Sequence, residues 1–410
     1  MPVTKTITSK TQYFLEKEEL YGAHNYHPLP VVLTKGKGVF VWDVDDRRYY
    51  DFLSGYSAIN QGHCHPRIIE TFIEQAQRLT LTSRAFHNDV LGEYAEFITK
   101  FFGYDKVLPM NTGVEAVETG LKLARRWGYE VKGVAQNKAK IITCEHNFHG
   151  RTISVISFSS DEPSKRDFGP FVPGFEVIPY NNIPALQAAL QDPNVVGFLV
   201  EPIQGEAGVV VPDDGYISKA AAMCREANVL FIADEIQTGL ARTGKMLACD
   251  HEGVRPDILL LGKALSGGTM PVSAVLADDE IMLTIKPGDH GSTYGGNPLA
   301  CKVAITALQV LVDEKMAENS QVLGTYFRKE LKALTHPHIS IVRGKGLFNA
   351  IVIDHPNKDA AWDICLEMKQ NGLIAKPTHG DRIRFAPPLL ITRPQIDECV
   401  GIIKKSMENF

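Results

Sequence analysis

A lysine in the stretch DILLLGKALSGG has neighbours that are unusual for a surface lysine. Lys263 follows a run of apolar and small residues and is flanked by Gly262, Ala264 and the glycine pair 267–268. Burial lowers the pKa of a lysine amine, and the neutral amine is the form that condenses with a carbonyl carbon to a Schiff base. A lysine at the end of a strand more often extends along the surface, so Lys263 alone does not define the chemistry.

An aspartate earlier in the chain supplies a matching partner. Asp234 ends the apolar run of LFIADEIQTG, where a carboxylate is poorly solvated and needs a cationic or hydrogen-bonding partner. It can cap a helix, or it can face a protonated pyridine nitrogen and hold that proton in place. One cofactor, pyridoxal 5'-phosphate (PLP), explains both residues, because it has an aldehyde for Lys263 and a pyridine nitrogen for Asp234.

Two further stretches suit a phosphate group. In MNTGVEAVETGLKLARR, Thr112 and Gly113 open a predicted helix whose first N–H groups are free to bind an anion. The stretch HGSTYGGNP, residues 290–298, is rich in glycine and contains two aliphatic hydroxyls, those of Ser292 and Thr293. Either can also be an ordinary helix cap or connecting loop. Neither GxGxxG after a strand nor GxxxxGK[ST] occurs, so a dinucleotide or a P-loop nucleotide is not indicated.

The loop HNFHGRT, residues 146–152, adds an aromatic ring and a guanidinium. Phe148 can stack on a flat ring, and Arg151 can form paired hydrogen bonds with a carboxylate, although an exposed ion pair is the alternative. His146 and His149 lack a carboxylate or cysteine at ligand spacing, so we predict no metal site. Arg384 lies among apolar residues in IRFAPPL and requires an anionic partner.

The elements that must position these residues alternate between apolar runs and helical stretches. We predict strands at 139–144, 175–179, 196–201, 229–234, 258–261 and 272–276, and helices at 114–127, 184–190 and 217–227. This pattern indicates a largely parallel sheet covered on both faces, in which ligands bind beyond the carboxyl ends of the strands. Glu201, Asp234 and Lys263 each follow such a run directly.

The pattern changes after residue 297. We predict helices at 298–313 and 317–334 and strands near 341–353 and 382–386. The predicted division is an N-terminal segment, 1–57, that joins a small domain, a large cofactor-binding domain, 58–297, and a C-terminal small domain, 298–410.

Composition narrows the class of protein. A formal net charge of -5 over 410 residues indicates neither nucleic acid nor an anionic membrane as a partner. Seven cysteines without a CxxC pair favour reduced thiols. The first twenty residues lack an apolar signal core and contain no Arg, so we expect a cytoplasmic enzyme; a mitochondrial matrix protein whose leader has been removed is the alternative.

Taken together, four strings resemble the class III, fold-type I PLP-dependent aminotransferases: EPIQGEAGV (201–209), LFIADEIQTGLARTG (230–244), LLGKALSGG and HGSTYGGNPL. Within that family, YGAHNYHPLP (21–30), SGYSAINQGHCHP (54–66), NTGVEA and AKPTHGDRIRFAPPL favour the branch that acts on ornithine. The resemblance covers nearly the whole chain. It implies an α/β fold with a large domain, whose mostly parallel sheet is flanked by helices, a smaller α+β domain from both termini, and a homodimer.

The resemblance also implies how PLP is held. Lys263 would carry the cofactor covalently and move a proton during the reaction, and Asp234 would pair with the pyridine nitrogen. Gln237 would bond the ring hydroxyl, and Phe148 would stack on the ring. The phosphate would be held by Thr112, Gly113, Val114, Ser292 and Thr293, the last reaching in from the neighbouring subunit.

Substrate contacts are implied in the same way, for L-ornithine and then 2-oxoglutarate. Tyr26 and Arg151 would bind the α-amino and α-carboxylate end of ornithine, with Tyr56 shaping the pocket. Glu206 would mask Arg384 in the first half-reaction and release it to bind 2-oxoglutarate in the second. The open alternatives are an acetylornithine or 4-aminobutyrate aminotransferase and, from another class, a non-catalytic PLP-binding protein.

Overall fold

The computed structural model describes residues 9–408 and Phe410. Its strands are β1 (Leu33–Lys37), β2 (Phe40–Asp43), β3 (Arg48–Asp51), β4 (Lys106–Met110), β5 (Lys140–Cys144), β6 (Phe175–Ile178), β7 (Val195–Val200), β8 (Leu230–Asp234), β9 (Ile258–Leu261), β10 (Ser273–Ala277), β11 (Ile339–Lys345), β12 (Phe348–Ile353), β13 (Leu373–Ile374), β14 (Lys376–Thr378) and β15 (Arg382–Phe385).

The helices lie mainly between the strands of the central region and towards the C-terminus. They are α1 (Lys10–Tyr21), α2 (Ser54–Ser57), α3 (Pro66–Arg78), α4 (Leu91–Phe102), α5 (Gly113–Glu130), α6 (Ile153–Ile156), α7 (Glu162–Lys165), α8 (Ile183–Ala189), α9 (Tyr216–Glu226), α10 (Asp279–Met282), α11 (Pro298–Asp313), α12 (Met316–Ala333), α13 (Ala360–Gln370) and α14 (Arg393–Met407). In residues 9–408, none combines the length and apolar character needed to cross a lipid bilayer.

A seven-stranded sheet forms the centre, in the order β4-β10-β9-β8-β7-β5-β6. The pairs from β9 through to β6 are parallel, whereas β10 runs antiparallel to both β9 and β4. All six strands predicted for this region are present. The strand β4 was not predicted, and it lies at the sheet edge, where Pro109 is tolerated because an edge strand has unpaired positions.

Both faces of this sheet are covered, as the apolar runs predict. Along β8, Leu230 and Ile232 pack with the residues of α5, while Phe231 and Ala233 pack with α8 and α9 on the other face. Every residue of β7, β8 and β9 is buried. The carboxyl ends of β8 and β9 are therefore held in fixed positions by a fully packed sheet.

Two smaller sheets come from the ends of the chain. One has the order β1-β2-β3-β13, in which β13 joins β3 in parallel, so N-terminal and C-terminal residues share a sheet. The other has the order β11-β12-β15-β14 and is antiparallel throughout. The fold is thus the predicted α/β arrangement. The domain boundaries at 57 and 297 stay a prediction, and residues 1–8 and 409 lie outside the described part of the chain.

Candidate active site

Asp234 and Lys263 lie at the ends of neighbouring strands and face one cavity. Asp234 ends β8, and Lys263 is separated from the end of β9 by Gly262. Lys263 has a φ of 47°, a left-handed conformation that turns the chain sharply out of the strand. The cavity has a volume of about 260 Å³. It is lined by Gly113, Val114, Phe148, His149, Gly150, Arg151, Glu201, Asp234, Ile236, Gln237 and Lys263.

The pKa of the Lys263 amine is lowered, as its apolar sequence neighbours predict. Burial lowers the pKa of Lys263, and the negative charges of Asp234 and Glu201 oppose part of that effect. The pKa stays below the ordinary lysine value, which increases the fraction of neutral amine at a given pH. A neutral amine facing a cavity can attack a carbonyl carbon.

Asp234 is fixed by two hydrogen bonds, to residues that line the cavity with it. Its Oδ1 accepts the backbone N–H of Ile236 at 3.1 Å, and its Oδ2 lies 2.7 Å from Nδ1 of His149. Both side chains are almost wholly enclosed, with exposed fractions of 5% and 1%. Each carboxylate oxygen keeps a second lone pair, so Asp234 can still accept a hydrogen bond from a group in the cavity.

His149 is a site residue whose role the sequence left open. Burial acts to lower the pKa of His149, but the hydrogen bond and charge of Asp234 outweigh it and raise that pKa above its ordinary value. The ring Nε2 is buried and has no hydrogen-bond partner among the described residues. His149 thus contacts Asp234. No group of three or more His, Cys, Asp or Glu side chains in residues 9–408 is placed to hold a metal ion.

Glu201, at the end of β7, links two loops beside the cavity. Its Oε1 accepts the N–H of Phe148 at 2.9 Å, and its Oε2 accepts the N–H of Gly205 at 3.2 Å. Burial raises the pKa of Glu201 to about 7, with His149 opposing this shift and Asp234 adding to it. The carboxyl group orients the loops that carry Phe148 and Glu206.

The loop after β5 presents Phe148 and Arg151 to the cavity. Buried Asn147 holds this loop by donating to the carbonyl oxygens of Cys144 and Phe158, at 2.6 and 3.0 Å. The Arg151 guanidinium lies 5.7 Å from the centre of the Phe148 ring. Arg151 also lines a second cavity of about 350 Å³, which shares Phe148 and His149 with the first and extends to Glu206.

The start of α5 lies at one end of the cavity, where Gly113 and Val114 line it. Thr112 and Glu115 form a capping box, in which each side chain bonds the other residue's backbone N–H. The N–H groups of Gly113 and Val114 start the helix and have no intrahelical acceptor. Ser292 approaches the same end, where its Oγ accepts a hydrogen bond of 2.7 Å from the Asn111 side chain. Thr293 is exposed.

Glu206 and Arg384 form an ion pair beyond the first cavity. Arg384 Nη1 lies 2.8 Å from Glu206 Oε2, and the two side chains are 5% and 31% exposed. The Arg384 guanidinium also lies 5.1 Å from the Tyr56 ring centre. Burial raises the pKa of Tyr56, and the charge of Arg384 opposes that rise. Gln237 donates to the Tyr56 carbonyl at 3.2 Å, which connects this pair to the cavity.

Tyr26 is a predicted substrate residue that is exposed at the protein surface. It is 65% exposed and does not line either cavity. It is close enough to Tyr56 to contribute to the raised pKa of that residue, and the Lys376 amine lies 5.9 Å from its ring centre. Tyr26 therefore lies outside both cavities.

This arrangement fits a phosphorylated pyridine. A flat ring can lie between a lysine of lowered pKa and an enclosed carboxylate, with its phosphate at the free N–H groups of α5. A side chain could not replace Gly150 at the cavity wall, because a Cβ there would lie 2.5 Å from Cγ2 of Val114. The fold and the site are those of a PLP-dependent transferase.

Comparison with known proteins agrees with this class. The chain belongs to the class-III aminotransferases, whose family profile matches residues 21–407. It is 62% identical to the mitochondrial ornithine aminotransferase of Rattus norvegicus over 99% of this chain and 94% of that protein. The enzyme uses PLP as its cofactor.

Two solved structures are also close. One is the ornithine aminotransferase of Toxoplasma gondii, with partial occupancy of PLP at its active site; the TM-score is 0.96 at 51% identity, covering 98% of this chain and 95% of that one. The other is the acetylornithine aminotransferase of Elizabethkingia anophelis, with a TM-score of 0.90 at 57% identity, covering 98% and 100%. The fold is therefore shared by relatives named for two different substrates.

Proposed function

We propose that this enzyme is an ornithine δ-aminotransferase. It transfers the δ-amino group of L-ornithine to 2-oxoglutarate, giving glutamate 5-semialdehyde, which cyclises to pyrroline-5-carboxylate, and L-glutamate. The observation that carries the proposal is the Glu206–Arg384 pair at 2.8 Å beside the cavity. The relatives named as ornithine aminotransferases, at up to 62% identity, support it.

PLP, when bound, supplies the aldehyde that takes up the amino group and an electron-accepting ring. Lys263 would hold the cofactor covalently and then move a proton at the substrate carbon through its Nζ. Asp234 would keep the pyridine nitrogen protonated, and Gln237 would bond the ring hydroxyl. Phe148 would cover one ring face. The phosphate would lie against Thr112, Gly113, Val114, Ser292 and a neighbouring subunit's Thr293.

The ion pair explains how one site accepts two different substrate ends. Next to its δ-amine ornithine has only methylene groups, whereas 2-oxoglutarate has a carboxylate next to its oxo group. While Glu206 neutralises Arg384, that region does not attract the α-carboxylate of ornithine. Tyr26, Tyr56 and Arg151 would then bind the α-amino acid end, which leaves the δ-amine at the reacting carbon.

The second half-reaction needs the Glu206–Arg384 ion pair to be separated. Glu206 would release Arg384, which would bind the α-carboxylate of 2-oxoglutarate, while Arg151 would bind the γ-carboxylate. A charge-assisted contact contributes about 1.5–3 kcal/mol, enough to decide orientation by a factor of about ten or more. The kinetics would be ping-pong, because the amino group is stored on the enzyme between the halves. The enzyme would act as a homodimer.

The deciding experiment compares kcat/KM for L-ornithine, N-acetylornithine and 4-aminobutyrate, each with 2-oxoglutarate. We expect ornithine to be used best. The acetylornithine alternative is favoured by one observation, the 57% identity to the E. anophelis enzyme. Equal or better use of N-acetylornithine or 4-aminobutyrate would contradict the proposal. A colourless protein that takes up no PLP would contradict the enzyme assignment itself.

We propose a cytoplasmic location, with the mitochondrial matrix as the alternative. The rat relative is named as mitochondrial. Fractionation of the source cells, with immunodetection of the protein, would distinguish the two compartments.

A further inference from the structure

One face of the sheet β11-β12-β15-β14 carries a set of cationic side chains, here called the cationic face. Lys376 on β14 and Arg384 on β15 are register partners, so their side chains lie on the same face, and Thr378 and Arg382 are the next partners along it. Arg343 is on this face too, since its register partner Ala350 pairs in turn with Arg384. Its Nε donates to the Gly208 carbonyl at 2.8 Å.

The Glu206 carboxylate lies over this face and is held at both oxygens. Its Oε2 pairs with Arg384, and its Oε1 accepts a hydrogen bond of 3.1 Å from the Thr378 hydroxyl, which also lies 3.0 Å from the Glu206 carbonyl. Thr378 thus anchors one oxygen independently of Arg384. A rotation of the carboxylate can move Oε2 off Arg384 while the contact with Thr378 is kept.

Lys376 is a neighbouring cation without a carboxylate partner in the described part of the chain, whereas Arg343, which also has none, is occupied by the Gly208 carbonyl. Lys376 lies two residues before Thr378 on the same face, is partly buried, and forms no ion pair within residues 9–408. Arg382, by contrast, pairs with Asp381 at 3.2 Å. Burial lowers the pKa of Lys376, while Glu206 raises it and Arg384 lowers it, so the amine is within electrostatic reach of both members of the pair.

The proposed function requires Glu206 to leave Arg384, and a partly buried carboxylate that loses its cation needs another partner. We propose that Lys376 receives the Glu206 carboxylate when Arg384 binds the α-carboxylate of 2-oxoglutarate. This inference rests on the proposed function, because it assumes that release. Lys376 is then a positioning residue: it acts through Glu206 and does not touch the substrate.

A double-mutant cycle with an inert dicarboxylate tests this role. Isothermal titration of the PLP-loaded enzyme with glutarate gives Kd for the wild type, Lys376→Met, Glu206→Gln and the double variant. We expect Lys376→Met to raise Kd about tenfold, because Glu206 then stays on Arg384. In the Glu206→Gln background the same change should have no further effect. Lys376→Arg should retain wild-type affinity.

The ornithine half-reaction and a charge control complete the test. In single turnovers with ornithine alone, Lys376→Met should stay within about twofold of the wild type, since Glu206 masks Arg384 in that half. The matched control is Arg382→Gln. It removes a cation of the cationic face that is already paired, with Asp381. We expect the Kd of this variant for glutarate to change less than about twofold.

An unchanged Kd for glutarate in Lys376→Met would overturn the inference. An equal loss of affinity when Lys376→Met is made in the Glu206→Gln background would also overturn it, because Lys376 would then contact the ligand directly. An equal loss of affinity in Arg382→Gln would do the same, because the effect would then come from net charge alone. Thermal unfolding and PLP absorbance of each variant identify any misfolded protein, and a misfolded Lys376→Met leaves Lys376→Gln to be measured in its place. Failure of the proposed function is distinguishable, because the wild type would then not transaminate ornithine.

Discussion

His149 Nδ1 and Asp234 Oδ2 lie 2.7 Å apart in the lining of the candidate cofactor cavity, and both side chains are almost wholly enclosed. Because the carboxylate can only accept, Nδ1 carries the proton in this contact. The other carboxylate oxygen is held by the N–H of Ile236. Asp234 is therefore fixed in orientation, and its negative charge is partly balanced by these two hydrogen-bond donors.

Replacing His149 should weaken cofactor binding. In His149→Phe, Asp234 loses the partner that orients it, and we expect PLP affinity to fall about 10- to 100-fold, as for partners that orient metal ligands. Kd is measured by titrating apoenzyme with PLP and following absorbance. His149→Gln, which can still donate to Asp234, should lose less. Equal PLP affinity in His149→Phe and the wild type would show that His149 only fills space.

The contrast between His149 and Asp234 shows what the sequence can predict. Asp234 and Lys263 follow apolar runs directly, so their positions at strand ends are readable from local order. His149 lies 85 positions from Asp234, and nothing near it in the sequence points to that contact. The available local signal was the pair His146 and His149, which lacks further ligands at metal-binding spacing and so indicates no role. Pairing across a sheet depends on strand order, which local patterns do not contain.

The same limit applies to the fold. The apolar runs predict the strands to within one or two residues, because a strand buried on both faces needs a continuous apolar sequence. They do not predict that β10 runs antiparallel to β9, since both directions bury the same side chains. The edge strand β4 contains Pro109 and an exposed Lys106, so it lacks the pattern that identifies a central strand.

Removing the carboxylate of Glu206 should change which end of ornithine reacts. In Glu206→Ala, Arg384 is a free cation beside the cavity, and it should bind the α-carboxylate of amino acids in both halves. We expect kcat/KM for ornithine to fall about tenfold or more relative to glutamate. The two half-reactions are measured separately by stopped-flow absorbance. A ratio equal to that of the wild type would contradict the masking role.

The hydroxyl of Tyr56 should contribute to substrate choice. Tyr56 has a φ of 61°, so a β-branched replacement such as isoleucine would be strained, and Tyr56→Phe is the cleaner variant. It keeps the ring beside Arg384 and removes only the polar group. We expect kcat/KM for ornithine to fall several-fold, about 1 kcal/mol, while 4-aminobutyrate changes little because it lacks the α-amino group. Parallel losses for both substrates would assign Tyr56 to packing alone.

Glu201 should make the folded state less stable as pH rises. Its pKa in the folded protein is about 7, above the ordinary value near 4.5, so the fold favours the neutral acid. Ionisation of Glu201 lowers the free energy of unfolding. This effect is absent below about pH 4.5 and grows until about pH 7, reaching roughly 3 kcal/mol. Glu201→Gln should therefore show a smaller decrease in Tm between pH 5 and pH 7.5 by calorimetry.

His149 changes stability in the same direction, because its raised pKa also favours the protonated form in the folded state. Its contribution is present below about pH 6.5 and is lost as pH rises through the higher folded value. The variant His149→Phe separates the two effects. Identical pH profiles for Glu201→Gln and the wild type would show that Glu201 does not titrate in this range.

Mixed dimers can test whether Thr293 of one subunit completes the cofactor site of the other. Thr293 is exposed, whereas Ser292 is tied to Asn111 beside α5 of its own subunit. If Thr293 serves the neighbouring site, a mixed dimer of Lys263→Ala and Thr293→Val subunits contains one intact site, in which Lys263 comes from one subunit and Thr293 from the other. After co-refolding of the two inactive or weakened variants, we expect wild-type PLP affinity in about half of the sites of the mixed dimers. If each subunit used its own Thr293, no site in the mixture would recover that affinity.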